Sequence, residues 1–355
     1  MAGLGADPLA ALGYITPLFM VLIGIGNGIG AGGNSLISRY IGAENKTSAN
    51  NAAIHNLILG VILSIIVSII LLIFLEPLLK IMGATSVLSY AMDYGVVIFS
   101  FSFAMLLPPI FGGAFRAEGD VKRATIPIAI TAIINMSIDP IFIYTLNLGV
   151  AGAAWATVIA HILSVLVMIY WMLIKQDTYL KYTHDNLHND LNMYKDILVV
   201  GIPASLEQLI LSALTIVVNF MLTLVSGPVA VAVYTAGWRI INLGMLPAIG
   251  VGTASISVAG VSYGARKYEN LRVTARYAVE IALVASIIVC IALNIFANQI
   301  AFIFSYSENS AQLEPLIASF LQLSAYLYYM CLLEQVQEMY SKVLEKEQFH
   351  LFSNI

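Results

Sequence analysis

Nine runs of predominantly apolar residues follow one another along this 355-residue chain, and each is long enough to cross a bilayer. The runs cover residues 9–36, 50–75, 88–113, 124–146, 150–174, 197–224, 228–258, 277–304 and 314–335. Charged residues make up only 10% of the chain, against about 25% in soluble domains. Because lipid cannot satisfy a backbone polar group, spans of this length should be helices. We therefore predict an all-α polytopic membrane protein.

Basic residues are distributed unevenly between the loops that join these runs. Fourteen of the 16 lysines and arginines fall on one side of the membrane if nine helices alternate in direction. They are Arg39, Lys46, Arg116, Lys122, Arg123, Lys175, Lys181, Lys195, Arg266, Lys267, Arg272, Arg276, Lys342 and Lys346. Lys80 lies on the opposite side, and Arg239 lies inside a run. Since basic residues concentrate in cytoplasmic loops, we predict a multi-pass protein of the cell membrane, with the N-terminus of this chain outside and its C-terminus in the cytoplasm.

The chain also contains an internal repeat, which appears when the sequence is shifted by 222 residues. The matches include Gly28, Gly30 and Ser35 with Gly250, Gly252 and Ser257, and Ser64-Ile65-Ile66-Val67 with Ser286-Ile287-Ile288-Val289. The two copies start six runs apart, so they share an orientation, as in many transporters. We predict two parallel-repeat helical lobes, with about nine transmembrane helices present of an expected twelve.

The domain boundaries follow from this repeat and from one polar segment. We expect an amino-terminal lobe over residues 1–175 with five of six helices, and a carboxyl-terminal lobe over 197–355 with four of six. Residues 176–196, the one long polar stretch, form a cytoplasmic linker between them. His184 and His188 could be drawn as a metal site with nearby aspartates, but such sites need a closed set of ligands. We interpret the segment as a solvated linker.

One acidic residue stands near the middle of the fourth run, where a carboxylate costs about 2.5–3.5 kcal/mol even on the lenient insertion scale. This is Asp139, and Asn135 lies four residues earlier on the same helical face. Pro140 has no N–H, so the Met136 carbonyl loses its helical partner. We predict that Asp139, the Asn135 amide oxygen and this carbonyl converge on a proton or a hard cation such as Na⁺. The alternative is a carboxylate that only hydrogen-bonds a neighbouring helix.

Several stretches together resemble the multidrug and toxic compound extrusion (MATE) family, in order from residue 1 to about 330. They are Gly5-Ala6-Asp7-Pro8-Leu9-Ala10-Ala11, Ser38-Arg39-Tyr40-Ile41-Gly42-Ala43, Arg116-Ala117-Glu118-Gly119-Asp120, Asn135 through Pro140, Gly152-Ala153-Ala154-Trp155-Ala156-Thr157 and Gly201-Ile202-Pro203. The resemblance implies two six-helix lobes around a central cavity. It also implies that the family's first helix, with its carboxylate, and the last two helices have no counterpart here.

The same resemblance assigns roles to individual residues. Asp139 matches the family's carboxylate, Asn135 its amide ligand, and Thr157 its hydroxyl on the next helix. Glu207, four residues after Pro203, is a candidate second cation or proton site. The alternative for Glu207 is a side chain near the cytoplasmic end that reaches to water. We expect no cofactor, and no metal beyond Na⁺ at the first site.

For function, the resemblance implies secondary active multidrug efflux, by antiport of organic, often cationic, compounds against Na⁺ or H⁺. The alternative is a lipid or lipid-linked oligosaccharide flippase of related architecture, whose cavities tend to be strongly basic, whereas here Arg239 is the single basic residue inside a run. A passive channel fits an acid–amide–hydroxyl set less well. The sequence has no nucleotide-binding, nucleophile–base or metal motif, so we predict no enzyme. The expected partners are drug-like molecules and the lipid bilayer, with no nucleic acid, and the expected state is a monomer.

Overall fold

The computed structural model describes residues 6–82, 84–175, 177–183, 190–304 and 314–324, and these residues form helices without any strand. The helices are α1 (Ala6–Gly42), α2 (Lys46–Ile81), α3 (Leu88–Ser100), α4 (Ser102–Ala117), α5 (Val121–Pro140), α6 (Gly149–Ile169), α7 (Leu191–Gly264), α8 (Tyr268–Ile295) and α9 (Ala297–Phe304). A last helical stretch covers 314–324. The predicted all-α fold class is confirmed.

Within the described ranges, seven helical stretches are long and apolar enough to cross a membrane. The helices α3 and α4 make an eighth span if they are taken as one bent pair. These spans follow the predicted runs in order along the chain. The ninth predicted run, 314–335, lies partly outside the described residues.

The third predicted run, 88–113, is not a single straight helix. It is split between α3 and α4, which meet at Phe101 with a bend of 48°. At the break the Phe99 carbonyl accepts hydrogen bonds from two serine hydroxyls, Ser102 at 2.7 Å and Ser68 of α2. These hydroxyls satisfy a backbone oxygen that a continuous helix would have satisfied internally.

The boundary between the sixth and seventh predicted runs is also wrong. The sequence predicts separate helices over 197–224 and 228–258, whereas α7 continues from Leu191 to Gly264. Pro228 removes one backbone donor, but the helical hydrogen-bond pattern continues around it. Two stretches of α7, Leu191–Thr215 and Ile240–Gly264, each qualify as a span, so the number of spans is unchanged.

The chain forms two compact units that divide within α7. Unit 1 is Met1–Ser212 with Tyr263–Arg266, and unit 2 is Ala213–Ser262 with Lys267–Ile355. This division does not coincide with the 176–196 segment, so the three-part division of the sequence stays a prediction. The core of unit 2 joins apolar residues of α7 to those of α8, α9 and the stretch 314–324: Val233, Ile240, Ile241, Leu293, Ala297, Ala301, Ile317, Ala318 and Leu321.

In unit 1, α1 and α4 approach until their backbones touch. A Cβ atom on Gly30 would collide with the Pro109 carbonyl, and one on Gly113 would collide with the Gly30 carbonyl. One turn earlier, a Cβ on Gly26 would lie 3.1 Å from the Leu106 carbonyl oxygen. Small residues allow this close approach between membrane helices. The α1–α4 pair packs with α2, and α4 also packs against α5 and α6, which carry the candidate site.

Candidate functional site

The candidate site lies between two neighbouring helices of unit 1, α5 and α6. The helix α5 starts at a capping residue, Asp120, whose carboxylate accepts the Arg123 N–H at 3.0 Å. Further along, the Ser164 hydroxyl of α6 donates to the Pro127 carbonyl of α5 at 3.0 Å. This bond helps to set the register of the two helices, in which residue 135 faces residue 157.

Asn135, Asp139 and Thr157 come together in this register. The Asn135 Nδ2 atom lies 3.2 Å from Asp139 Oδ1 and 3.3 Å from Thr157 Oγ1. The Thr157 hydroxyl donates to the Ala153 carbonyl at 2.9 Å, so its oxygen is the acceptor towards Asn135. All three side chains are half-buried. The structure therefore places an acid, an amide and a hydroxyl in one hydrogen-bonded row.

The orientation of the Asn135 amide differs from the expectation. The sequence predicts that the amide oxygen faces Asp139, whereas the structure places the amide nitrogen there. An ionised carboxylate has acceptors and no donor, so a donor facing it satisfies both groups. With the nitrogen inward, the row can hold and release a proton at Asp139. A half-turn of the amide about its last side-chain bond would present a third oxygen, which suits Na⁺.

The backbone changes its hydrogen-bond pattern directly after the acid. The α-helix ends at Pro140, and Ile141–Thr145 continues as a π-helix. Pro140 has no N–H to donate to Met136, so the ordinary helical ladder is interrupted at this point. Single π-helical turns are frequent at functional sites. Asp139 thus sits on the last turn before the change.

Two further side chains border this row, Tyr94 and His161, and sequence reasoning did not place Tyr94 there. The Tyr94 phenol of α3 interacts with the Thr157 hydroxyl and lies in the electrostatic field of Asp139. His161 Nδ1 lies 2.9 Å from the Thr157 carbonyl oxygen, one turn along α6. The packing of α3 against α6 brings Tyr94 to the site. Since the chain has 18 tyrosines, no local pattern singles out this one.

The other predicted sites are not part of this row. Glu207 on α7 is exposed, and none of the described residues donates a hydrogen bond to it, so its role as a second site stays a prediction. Within the described ranges no group of three or more His, Cys, Asp or Glu could hold a metal ion. His184 and His188 lie outside the residues that the structure describes.

The first part of the predicted linker packs onto unit 1. Leu180 is fully buried and Thr178 is 5% exposed. The Leu180 N–H donates to Glu118 Oε2 at 3.1 Å, and the Lys181 N–H donates to Asn50 Oδ1 at 2.9 Å. Residues 177, 179 and 183 are exposed, as the prediction of a solvated segment expects, whereas Thr178 and Leu180 are buried and two backbone N–H groups bond to side chains of unit 1.

Comparison with known proteins gives a consistent result. The family model named MatE matches residues 1–141 and 203–354. The probable multidrug resistance protein YoeA of Bacillus subtilis (strain 168) is 28% identical over 315 residues, which covers 85% of this chain and 66% of that protein. The FAD transporter of Shewanella oneidensis is 26% identical over 307 residues, covering 85% and 68% respectively. The chain thus spans about two thirds of the length of these relatives.

A solved structure is also similar over nearly the whole chain. It is the outward-facing conformation of a multidrug resistance MATE family transporter of the MOP superfamily. The two are 36% identical with a TM-score of 0.90, over 95% of this chain and 75% of that chain. This likeness in sequence and in helical structure agrees with the match to the family model.

Proposed function

Because this chain belongs to the MatE family of membrane transporters, we propose that it exports organic compounds by antiport against H⁺ or Na⁺. The observation that carries the proposal is the row of Asp139, Asn135 and Thr157 between α5 and α6. An acid inside a membrane span is costly to keep, and its usual role is to bind a proton or an ion. The similarity to a probable multidrug resistance protein supports drug-like compounds as the substrates.

The row offers a way to couple ion binding to helix packing. When Asp139 is ionised, Asn135 donates to its carboxylate and to Thr157 of α6. A proton or Na⁺ on Asp139 neutralises the charge that attracts the amide, so it changes how Asn135 is shared between Asp139 on α5 and Thr157 on α6. An ion that binds one packing better than the other shifts the balance between them. Alternating access in antiport needs such a dependence.

The test is gradient-driven efflux from vesicles that contain the 355-residue protein. A fluorescent organic cation serves as substrate, and its binding in detergent is measured separately. We expect Asp139→Asn to lose at least about tenfold in gradient-driven rate while it still binds the cation, because the amide cannot take up the ion. Asp93→Asn is the matched control, since Asp93 is an exposed aspartate on α3. Wild-type gradient-driven efflux in Asp139→Asn contradicts the proposal.

The same vesicles separate the two coupling ions. Efflux is measured with a Na⁺ gradient at constant pH, and with a pH gradient at constant Na⁺. Coupling to Na⁺ requires the Asn135 oxygen to turn inward, whereas coupling to H⁺ works with the amide as found. The row as found therefore favours H⁺ as the coupling ion, because no side chain has to move. The number of oxygen ligands that the sequence predicts around Asp139 favours Na⁺ instead. Efflux that responds to Na⁺ at constant pH decides for Na⁺.

A second substrate class is supported by one of the relatives. The chain is 26% identical to a protein named FAD transporter, so a flavin dinucleotide should be tested beside the cation. Competition between FAD and the fluorescent cation for efflux would place both in one pathway. The flippase alternative gains no support from these relatives, which are named for multidrug resistance and FAD transport. The side chain of Arg239, on which that alternative turns, lies outside the described part of the structure.

A further inference from the structure

The segment 177–183, which we call the docking segment, packs against the helices of unit 1. Leu180 belongs to the same buried cluster as Ile37 of α1, Ala53 of α2 and Ala114 of α4. The Thr178 hydroxyl donates to the Leu180 carbonyl at 2.9 Å, which folds the segment into a compact turn. The Leu180 side chain is thus packed among three helices rather than in water.

The carboxyl group of Glu118 binds the backbone at the centre of the docking segment. Glu118 follows directly after α4, and its Oε2 accepts the Leu180 N–H at 3.1 Å and also interacts with the Tyr179 N–H. Tyr182 is close enough to Glu118 for its phenol to interact electrostatically with the carboxylate. The segment therefore covers Glu118 while using it as an acceptor.

The charged groups around Glu118 do not cancel the effect of its burial on its pKa. Asp120, at the start of α5, raises its pKa, and Arg123 lowers it. Arg123 is itself shared, with Asp120 at 3.3 Å and Asp177 at 2.7 Å. On the other flank, the Lys46 ammonium lies 4.8 Å from the ring centre of Tyr179. Burial is the largest effect and raises the pKa of Glu118 to about 7.

We propose that Glu118 is a proton-binding site that controls the docking of residues 177–183 on unit 1. When Glu118 is protonated, its carbonyl oxygen still accepts the Leu180 N–H and no charge is buried. When it is ionised, the docked segment buries a carboxylate. Because the segment lies between α6 and α7 in the chain, its release detaches part of the connection between these helices from unit 1. The proposal is independent of the coupling at Asp139.

The direction of the pH dependence follows from proton linkage. In the released state Glu118 is solvated and has an ordinary pKa of 4.5, whereas in the docked state its pKa is about 7. Docking therefore takes up a proton between these two values. Docking is strongest at low pH, weakens about tenfold per pH unit between roughly 5 and 7, and is constant above that range.

The experiment is amide hydrogen exchange on the full 355-residue chain in lipid nanodiscs, from pH 5 to pH 9, with the intrinsic exchange rates divided out. In the wild type, we expect protection of the Leu180 and Lys181 amides to fall about tenfold per pH unit between roughly 5 and 7. Glu118→Gln keeps an acceptor of the same shape without charge, so its protection should stay high at every pH. Glu44→Gln is the matched control, because Glu44 is exposed in the loop after α1.

Two results would overturn the proposal. One is protection in the wild type that does not change between pH 5 and pH 9. The other is a Glu118→Gln variant that keeps the falling wild-type profile. Asn50→Ala tests the docked geometry itself, because it removes the acceptor of the Lys181 N–H. Protection of Lys181 in Asn50→Ala should drop at every pH, and unchanged protection also contradicts the docked segment.

Discussion

The amide nitrogen of Asn135 lies 3.2 Å from Oδ1 of Asp139. The same nitrogen lies 3.3 Å from the Thr157 hydroxyl oxygen, so Thr157 is joined to the acid through Asn135. This order along the row sets the order of effects that substitutions should have. A change at Asn135 acts on Asp139 directly, whereas a change at Thr157 acts through the amide.

The first prediction compares Asn135→Ala with Thr157→Val in the efflux assay. If H⁺ is the coupling ion, Asn135→Ala removes a donor to the charged acid, and the half-maximal pH of efflux should move upward by about 1–2 units. Thr157→Val should move it less. If Na⁺ is the coupling ion, both variants should weaken the dependence of efflux on Na⁺. A larger shift in Thr157→Val than in Asn135→Ala would contradict the order of the row.

The control for this pair is Ser137→Ala, on the same helix between Asn135 and Asp139. The Ser137 hydroxyl donates to the Ile133 carbonyl at 2.8 Å and is exposed. Its removal should leave both the pH profile and the Na⁺ dependence unchanged. A shift of similar size in Ser137→Ala would mean that the effects come from α5 in general.

The second prediction concerns the contact between α1 and α4. Gly30→Ala should lower the stability of unit 1 by about 1–3 kcal/mol, since its Cβ would collide with the Pro109 backbone, which cannot turn away. Gly13→Ala on the same helix has open space, and should stabilise by up to about 1 kcal/mol. The measurement is thermal unfolding of both variants in detergent. An unfolding midpoint for Gly30→Ala at or above that of the wild type contradicts the close contact.

The third prediction concerns orientation, which follows from the loop distribution of basic residues. Lys181→Cys and Lys80→Cys should react with an impermeant thiol reagent from opposite sides of the membrane, position 181 from the cytoplasm. The native Cys290 and Cys331 are first replaced by serine. Labelling of both positions from the same side would show that the predicted alternation of helices is wrong.

The fourth prediction tests the break between α3 and α4. The Phe99 carbonyl has two donors, Ser68 and Ser102, so either Ser→Ala change alone leaves one. We expect each single variant to cost about 1 kcal/mol or less, and the double variant to cost clearly more than the sum, because the buried carbonyl then has neither hydroxyl. Additive costs in thermal unfolding would indicate that the two hydroxyls act independently.

Apolar run length was enough to predict most of the spans, and helical spacing was enough to place Asn135 beside Asp139. Both depend on residues that are neighbours in sequence or one turn apart. The addition of Thr157 came from the resemblance, since residues 22 positions apart share no local pattern. The contact between Asn135 and Thr157 depends on how α5 packs against α6.

The features that the sequence did not predict all depend on distant contacts. The break at Phe101 has no glycine or proline beside it, and the Ser68 hydroxyl that supports it comes from another helix. The docking segment looks polar and solvated until Glu118 and Asn50 satisfy its backbone. Tyr94 reaches the site from α3. None of these partners can be identified from local composition.

The two copies of the repeat differ in how closely their matched glycines are packed. Gly30 in unit 1 is in tight contact with Pro109, whereas its counterpart Gly252 in unit 2 has no described neighbour within 4 Å of an added Cβ. Shifting Pro109 by the same 222 residues gives position 331, which lies outside the described residues. The glycine is thus matched in sequence, and its partner position is not among those that the structure places.

The π-helix at Ile141–Thr145 has a consequence for how chain length can vary around the acid. A π-turn closes hydrogen bonds over one more residue than an α-turn, so one deletion there restores an α-helix. Asn135 and Asp139 precede it, and keep their places on α5. A deletion between those two residues would instead rotate the carboxylate by about 100° away from the amide. Alignments of distant relatives should therefore carry their gaps after the acid and none in the four residues before it.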